Sequence, residues 1–224
     1  MGIPENLSNI RERIGECAAK VQRHPSEITL VAVTKYVGVA EMNAALRAGV
    51  SDIGENRVQD GIAKFPLLER SVTRHLIGSL QTNKVKGALT YFDLIHSVDR
   101  PELVQELTKH AKPMGKKVKL LIQLNISGEI SKHGLAPAKL FDLLKMIREA
   151  DTLIPAGLMT IAPLTENAES SRPVFRRLKE LFEEVAVKYP SSDWRYLSMG
   201  MSQDFEIAVE EGANIVRIGT AIFR

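Results

Sequence analysis

A single cysteine in 224 residues, Cys17, excludes an internal disulfide and suits a reducing compartment. No apolar run reaches the ~18 residues a membrane span needs, and the N-terminal MGIPENLSNIRERIGEC lacks the apolar core of a secretion signal. The expectation is a soluble, cytoplasmic protein without a membrane partner. An excess of one charge is also missing: the formal net charge is +3 and the pI about 8.9. The densest basic cluster, KKVK at 116–119, runs straight into the apolar LLIQLNI and reads as a solvated turn before a strand, so no nucleic-acid partner is expected. Neither GxxxxGK[ST] nor GxGxxG occurs, which argues against nucleoside triphosphates and dinucleotides. None of the five histidines stands at metal-ligand spacing from another, so no metal is expected. With no linker, composition shift or low-complexity segment, the chain reads as one domain over residues 1–224.

What is present is alternation. After a helix expected around 5–24, short apolar, β-rich segments fall at 28–35, 51–55, 73–78, 93–98, 118–126, 153–161, 194–199 and 214–222. Between them the apolar spacing is helical: Val39, Met42, Ala45 and Leu46 share a face before Gly49, and Leu140, Leu143, Leu144 and Ile147 line one side of the next clear case. Phe175, Leu178, Phe182 and Val185 repeat the pattern. Eight strands with seven helical connections and one helix in front fit an α/β fold, a single (β/α)8 TIM-type barrel whose N-terminal helix fills the place after strand eight. A doubly wound open sheet is the competing architecture.

In such a barrel the chemistry collects where the strands end, and phosphate binds near strands seven and eight. ITLVAVTKYVG carries Lys35 to the end of strand one, and alternation puts it on the side of Thr29, Val31 and Val33, toward the barrel mouth. A free lysine is neutral in only about one molecule in 2,500 at pH 7. Burial in an apolar surround tunes such amines down to roughly 7–8, where they attack carbonyls as Schiff-base formers. A lysine reaching into water from a strand end is the plainer alternative.

Two turns at the far end bear on that choice. In YLSMGMSQDFEIAVEEG an apolar strand runs into Ser198-Met199-Gly200-Met201-Ser202 before a helix expected near Gln203; in IVRIGTAIF, Gly219 and Thr220 close strand eight. Small residues around glycine let backbone N–H groups approach an anion. A tight turn with Ser202 as helix cap is the alternative for the first. An amine opposite a phosphate cradle describes a phosphorylated aldehyde, for which pyridoxal 5′-phosphate is the obvious ligand. Arg217 lies two residues before Gly219 and faces the same way; it either approaches the pyridine nitrogen or pairs with a carboxylate or the phosphate.

Taken together, VAVTK, DIGENRVQD, HLIGSLQTNK, LLIQLNISGEISKHG, GLMTIAP and LSMGMSQDFEIAVEEGANIVRIGTAIF resemble the pyridoxal-phosphate homeostasis family, over about Ile28 to Arg224. The resemblance implies a monomeric or weakly dimeric barrel of fold type III, related to the N-terminal domain of alanine racemase. It implies Lys35 as the residue carrying the cofactor as an internal aldimine, Asn56 beside it, Ser198, Gly200, Met201, Gly219 and Thr220 on the phosphate, and Arg217 approaching the ring. It further implies cofactor supply, to pyridoxal-phosphate-dependent apo-enzymes among other partners, without established turnover. Tyr36 departs from the family, where many members have threonine; alternation turns it outward.

The residues themselves add less. His75, Gln81, Asn83 and Lys84 read as a rim loop with a structural or release-related role, and His75 as a satisfied core histidine. The alternative to a carrier is a racemase-like enzyme, which needs a second base facing Lys35. Tyr196 is placed to point inward, but no partner base is readable, and racemases of the related fold draw a tyrosine from a further domain where this sequence ends at Arg224. An aldolase-type barrel acting on a phosphorylated sugar is a third reading.

Overall fold

The computed structural model describes residues 2–129 and 133–224; Ile130, Ser131 and Lys132 of the LLIQLNISGEISKHG stretch lie outside the described residues. Eight parallel strands close into a barrel in sequence order. They are β1 Thr29–Val33, β2 Asp52–Glu55, β3 Thr73–Leu76, β4 Leu94–Val98, β5 Val118–Gln123, β6 Leu153–Met159, β7 Tyr196–Ser198 and β8 Ile215–Ile218. Closure is made by β1 against β8, with Thr29 opposite Ile215 and Ala32 opposite Ile218. The helices are α1 Ile3–Lys20, α2 Val39–Arg47, α3 Val58–Lys64, α4 Val85–Tyr91, α5 Pro101–Ala111, α6 Leu140–Glu149, α7 Arg172–Lys188, α8 Phe205–Glu210 and α9 Thr220–Phe223.

The helices follow from their spacing. In α5, Pro101 sits in the first turn, where its missing N–H costs nothing, and Leu103, Val104, Leu107 and Ala111 form the buried stripe. In α7 the stripe is Phe175, Leu178, Leu181 and Val185. Each such side chain removed from water contributes about 1.5–3 kcal/mol. On the strands the period is two: Ala32, Ile53, Leu76, Ile95, Val216 and Ile218 face the helices. Val31, Leu94, Leu121, Ala156, Met159 and Ile215 face one another inside the barrel, with Tyr196 packed inward against them. Helix α1 buries Leu7, Ile10, Ile14, Cys17 and Ala18 and packs against α2, α8 and α9, so it completes the outer ring beside strand eight. Asn6 donates to the carbonyl of Ile222 there, and Arg13 pairs with Glu206 at 3.0 Å.

Several boundaries differ from the sequence reading. The N-terminal helix ends at Lys20, before the short turn that begins at Pro25. The last strand stops at Ile218, because Gly219 turns the chain into α9. Strand one stops at Val33, two residues short of Lys35. Among the described residues no helix is long and apolar enough to cross a membrane.

Candidate functional site

In a parallel barrel every strand delivers its C-terminal residue to one end, and that end is built here from strapped turns. Beyond β1, Thr34 is fully buried; its hydroxyl donates to Glu55 Oε1 at 2.7 Å and its carbonyl accepts from Lys64 Nζ at 2.9 Å. Lys64 also pairs with Glu55 at 2.9 Å. Glu55 is itself wholly buried, and its Oε2 has no partner among the described residues. A carboxylate at the end of β2 and an ammonium from α3 therefore hold the turn that follows β1.

Lys35 rises from that turn. Alternation along β1 led to the expectation of an amine enclosed by apolar residues; the side chain is instead exposed, with Nζ 5.1 Å from the centre of the Tyr36 ring. The reason is local. Strand geometry ends at Val33, and the backbone from Thr34 onward is a turn that lifts Lys35 above the rim. Tyr36 points outward, 82% exposed. Asn56, next to Glu55, is half-buried just past β2.

On the other side of the mouth, Gly200 takes φ +90°, a left-handed conformation glycine alone adopts at little cost, and a Cβ there would lie 2.5 Å from that of Ala208. The backbone thus folds directly onto α8, which begins at Phe205, two residues later than expected. Asp204 Oδ1 accepts from the Met201 N–H at 2.6 Å and shapes the turn. The N–H groups of Gly200 and Ser202 donate to nothing among the described residues. Ser202 Oγ accepts from Ala221 N–H at 3.5 Å, a weak link between the turns after β7 and β8. Gly219 packs on Val33; a Cβ at 219 would stand 3.2 Å from both the Cβ and the carbonyl of Val33. The turn bearing Lys35 and the turn of Gly219 and Thr220 are neighbours for that reason, joined by the β1–β8 pairing.

Below the mouth the barrel interior holds a chain of polar groups. Arg217, 4% exposed, donates from Nη1 to Ser198 Oγ at 2.7 Å and from Nη2 to the Thr160 carbonyl at 3.0 Å. Ser198 Oγ lies 2.9 Å from His96 Nδ1; His96 Nε2 lies 2.9 Å from His75 Nδ1; His75 Nε2 lies 2.9 Å from Asp52 Oδ1. Burial pushes the Arg217 guanidinium down to about 10, partly opposed by the charge of Asp204. Burial, with His75 and Arg217 nearby, holds His96 well below the ordinary histidine range. Burial works against ionisation of Asp52, but hydrogen bonds from His75 and Ser51 outweigh it and keep that carboxyl below its usual value.

The mouth therefore gathers Lys35, Asn56, Gly200, Met201, Gly219 and Thr220 around the strand ends, while Ser198 is fully buried beneath it against Arg217 and His96. Of the alternatives for Arg217, pairing with a carboxylate is not found among the described residues: its partners there are a hydroxyl and a backbone carbonyl. His75 is a buried, bonded core residue, as expected. Gln81 and Asn83 are exposed at the start of α4 and Lys84 half-buried, a rim loop as read. Sequence reasoning missed His96, Thr160, Asp52, Glu55 and Lys64. The available signal was alternation, which puts His96 on the inward side with Leu94 in LIHSV; Thr160 lies inside the quoted GLMTIAP. Chemically the site offers one exposed amine, one buried cation with no carboxylate bonded to it and backbone donors left free among the described residues, a set that suits an anionic, acceptor-bearing ligand with an electrophilic carbon.

Comparison with known proteins agrees with this set. Residues 6–224 match the family described as alanine racemase, N-terminal domain. The chain is 40% identical over 224 residues to the pyridoxal phosphate homeostasis protein of Aquifex aeolicus, covering 100% of this chain and 98% of that one. It is 38% identical over 226 residues to the protein of the same name from Escherichia coli K12, covering 99% and 95%. The solved structure of PipY from Synechococcus elongatus with PLP bound superposes with a TM-score of 0.87 at 35% identity, covering 99% of this chain and all of that one. Alanine racemase from Bacillus anthracis, at 18% identity and a TM-score of 0.69, shares the fold over 55% of its length.

Proposed function

The chain belongs to the pyridoxal phosphate homeostasis family, within the wider group that shares the alanine racemase N-terminal domain, and from that premise we propose that it binds pyridoxal 5′-phosphate at the barrel mouth and serves to hold and supply it. The observation that carries the reading is Arg217: a fully buried guanidinium with a hydroxyl and a carbonyl for partners and, among the described residues, no carboxylate bonded to it. A buried charge left so is costly unless something completes it. The cofactor carries a phosphate and a ring nitrogen, either of which does so.

The residues fit the group. Glycine lets the turns at Gly200–Met201 and Gly219–Thr220 pack their backbone against Ala208 and Val33 at the strand ends, and the N–H of Gly200 is unspent among the described residues. Arg217 would be the cation offered to the ring, where it would disfavour protonation of the pyridine nitrogen and so weaken the ring as an electron sink. When bound, the cofactor would supply an aldehyde carbon, and Lys35, on a four-methylene stem at the rim, is the amine that would hold it. Asn56 lies alongside. Ser198 acts from below, holding Arg217. A weakened electron sink, with no second base brought opposite Lys35 among the described residues, supports a carrier without sustained turnover, which hands the cofactor to enzymes that need it.

Borohydride reduction of the loaded protein followed by peptide mapping tests this. A pyridoxyl mass on the peptide containing Lys35 is expected; a label on another lysine overturns the assignment. Incubation with single-enantiomer amino acids in deuterium oxide is expected to give no sustained exchange at Cα.

A further inference from the structure

The polar chain inside the barrel has a direction, and the direction can be deduced. Arginine only donates, so Ser198 Oγ accepts from Arg217. At the other end Asp52, kept ionised, only accepts, so His75 carries a proton on Nε2. With that proton on Nε2, the other ring nitrogen of His75, Nδ1, is the acceptor for His96 Nε2–H. His96, neutral at the centre of the barrel, is left with a bare Nδ1, which accepts the Ser198 hydroxyl proton. Every donor meets an acceptor, and every bond points from Arg217 toward Asp52.

The reverse direction fails on the same count. It would need Asp52 protonated or His75 doubly protonated, and it would aim both Arg217 Nη1–H and His96 Nδ1–H at Ser198, leaving the serine proton without an acceptor in a fully buried position. Asp52 lines a cleft of about 440 Å³ at the base of the barrel, with Arg11, Ser26 and Ser51 among its neighbours, so the chain begins at solvent on the face opposite the mouth. Among the described residues no carboxylate bonds Arg217 directly. Asp52 reaches it only as the far end of a chain of oriented hydrogen bonds through one hydroxyl and two imidazoles.

We propose that Asp52, His75 and His96 are positioning residues for Arg217: by fixing which way the chain of hydrogen bonds runs, the carboxylate at the base of the barrel holds the guanidinium in place at the cofactor end. The inference rests on the reading that Arg217 faces the cofactor. Asp52 touches no ligand; it acts through the other residues.

Two measurements test it in the full-length protein. Long-range proton–nitrogen spectra of the imidazoles are expected to show both His75 and His96 as Nε2–H tautomers, and Asp52→Asn, which no longer dictates a direction, to populate both tautomers of His96. His96 carrying its proton on Nδ1 in the wild type overturns the proposal. For binding, the probe is pyridoxal 5′-phosphate itself, by equilibrium dialysis. Arg217→Met is expected to weaken binding at least tenfold and Asp52→Asn severalfold, while Asp52→Asn on top of Arg217→Met adds nothing, because its influence passes through the arginine. Additive losses would show that Asp52 acts by some other route and sink the inference. Wild-type affinity in Arg217→Met, with the tautomers as expected, would overturn instead the reading of Arg217 at the site, and the role proposed for the chain with it.

Discussion

At the base of the barrel Asp93 grips Arg74 through three hydrogen bonds and Asp52 accepts from His75 and Ser51, whereas at the mouth Arg217 bonds to a hydroxyl and a carbonyl and Lys35 meets the face of Tyr36. Two carboxylates at one end are matched within the chain; two cations at the other are not. The exposed Lys35 needs no partner to fold, but a protein that needed only to fold would have matched the buried Arg217, since an unpaired buried charge costs more than a partnered one returns. The mismatch is thus a mark of function, and its position agrees with where barrels keep their chemistry.

The two cations at the mouth also differ from each other. Arg217 is locked from below, while Lys35 is exposed on a turn fixed only at its root. Breaking the covalent contribution alone has the largest effect. Lys35→Ala should abolish borohydride trapping and the absorption of the linked cofactor outright, yet leave some ligand held through Arg217 and the glycine turns. Its urea midpoint should barely move, because a rim substitution away from packed groups stays within about 0.5 kcal/mol. A midpoint that fell steeply would mean that Lys35 belongs to the framework and not to the unmatched set.

Next in size is the root of that turn. Lys64→Met leaves Glu55 buried with one oxygen already unpartnered and the other bonded to Thr34 alone. Removing one member of a buried pair costs about 3–5 kcal/mol. The same change takes one of its two donors from the Thr34 carbonyl, leaving only the Val37 N–H, so trapping at Lys35 should slow even in protein that remains folded. Denaturant melts and the rate of reductive labelling read the two effects separately. Labelling at the wild-type rate would show that the strap does not position the lysine.

Much of this was legible in the sequence. Eight apolar segments at helical intervals gave the barrel, and Lys35, Gly200 and Gly219 fall at strand ends because counting along the chain is enough to put them there. What could not be read are contacts between strands. Ser198 and His96 are 102 positions apart, and Asp52 and His75 meet because β2 and β3 are adjacent with Gly54 opposite His75. A histidine in LIHSV looks like any core residue until its two neighbours are known. The expected enclosure of the Lys35 side chain failed for a related reason: periodicity says which way a side chain points only while the strand lasts, and β1 ends two residues too soon.

Backbone at the mouth should be less forgiving than side chains there. Gly200→Ala asks a non-glycine residue to hold φ +90° against Ala208 and the backbone of Phe205. The strain is of order 1–3 kcal/mol before any displacement of α8. Cofactor affinity should fall with stability, since the same turn carries the N–H groups assigned to the phosphate. Loss of stability with affinity intact would remove Gly200 from the cradle.

The smallest effect sharpens the other half of the comparison, the matched charges at the base. Burial alone would raise the Asp93 carboxyl, but the bonds from Arg74 outweigh it and hold it below its ordinary value, and the Asp52 carboxyl is lowered likewise. A carboxyl whose folded value lies below its unfolded one, near 3.9, stabilises the fold above that pH and loses its contribution as the pH falls through the folded value. Both should therefore appear as a downward slope of stability on acidification below about pH 4. For Asp93, whose side chain is 38% exposed beside an Arg74 side chain 32% exposed, screening by solvent limits the worth of the pair to about 0.2–1 kcal/mol. Asp93→Asn should remove that share of the acid slope and leave cofactor binding untouched, because no chain of bonds leads from Asp93 to Arg217. Asp52→Asn should flatten the slope and weaken binding together. If the two variants instead behaved alike in both respects, the base would be a single electrostatic surface, and the distinction between a carboxylate that only stabilises and one that also reaches the mouth would fail.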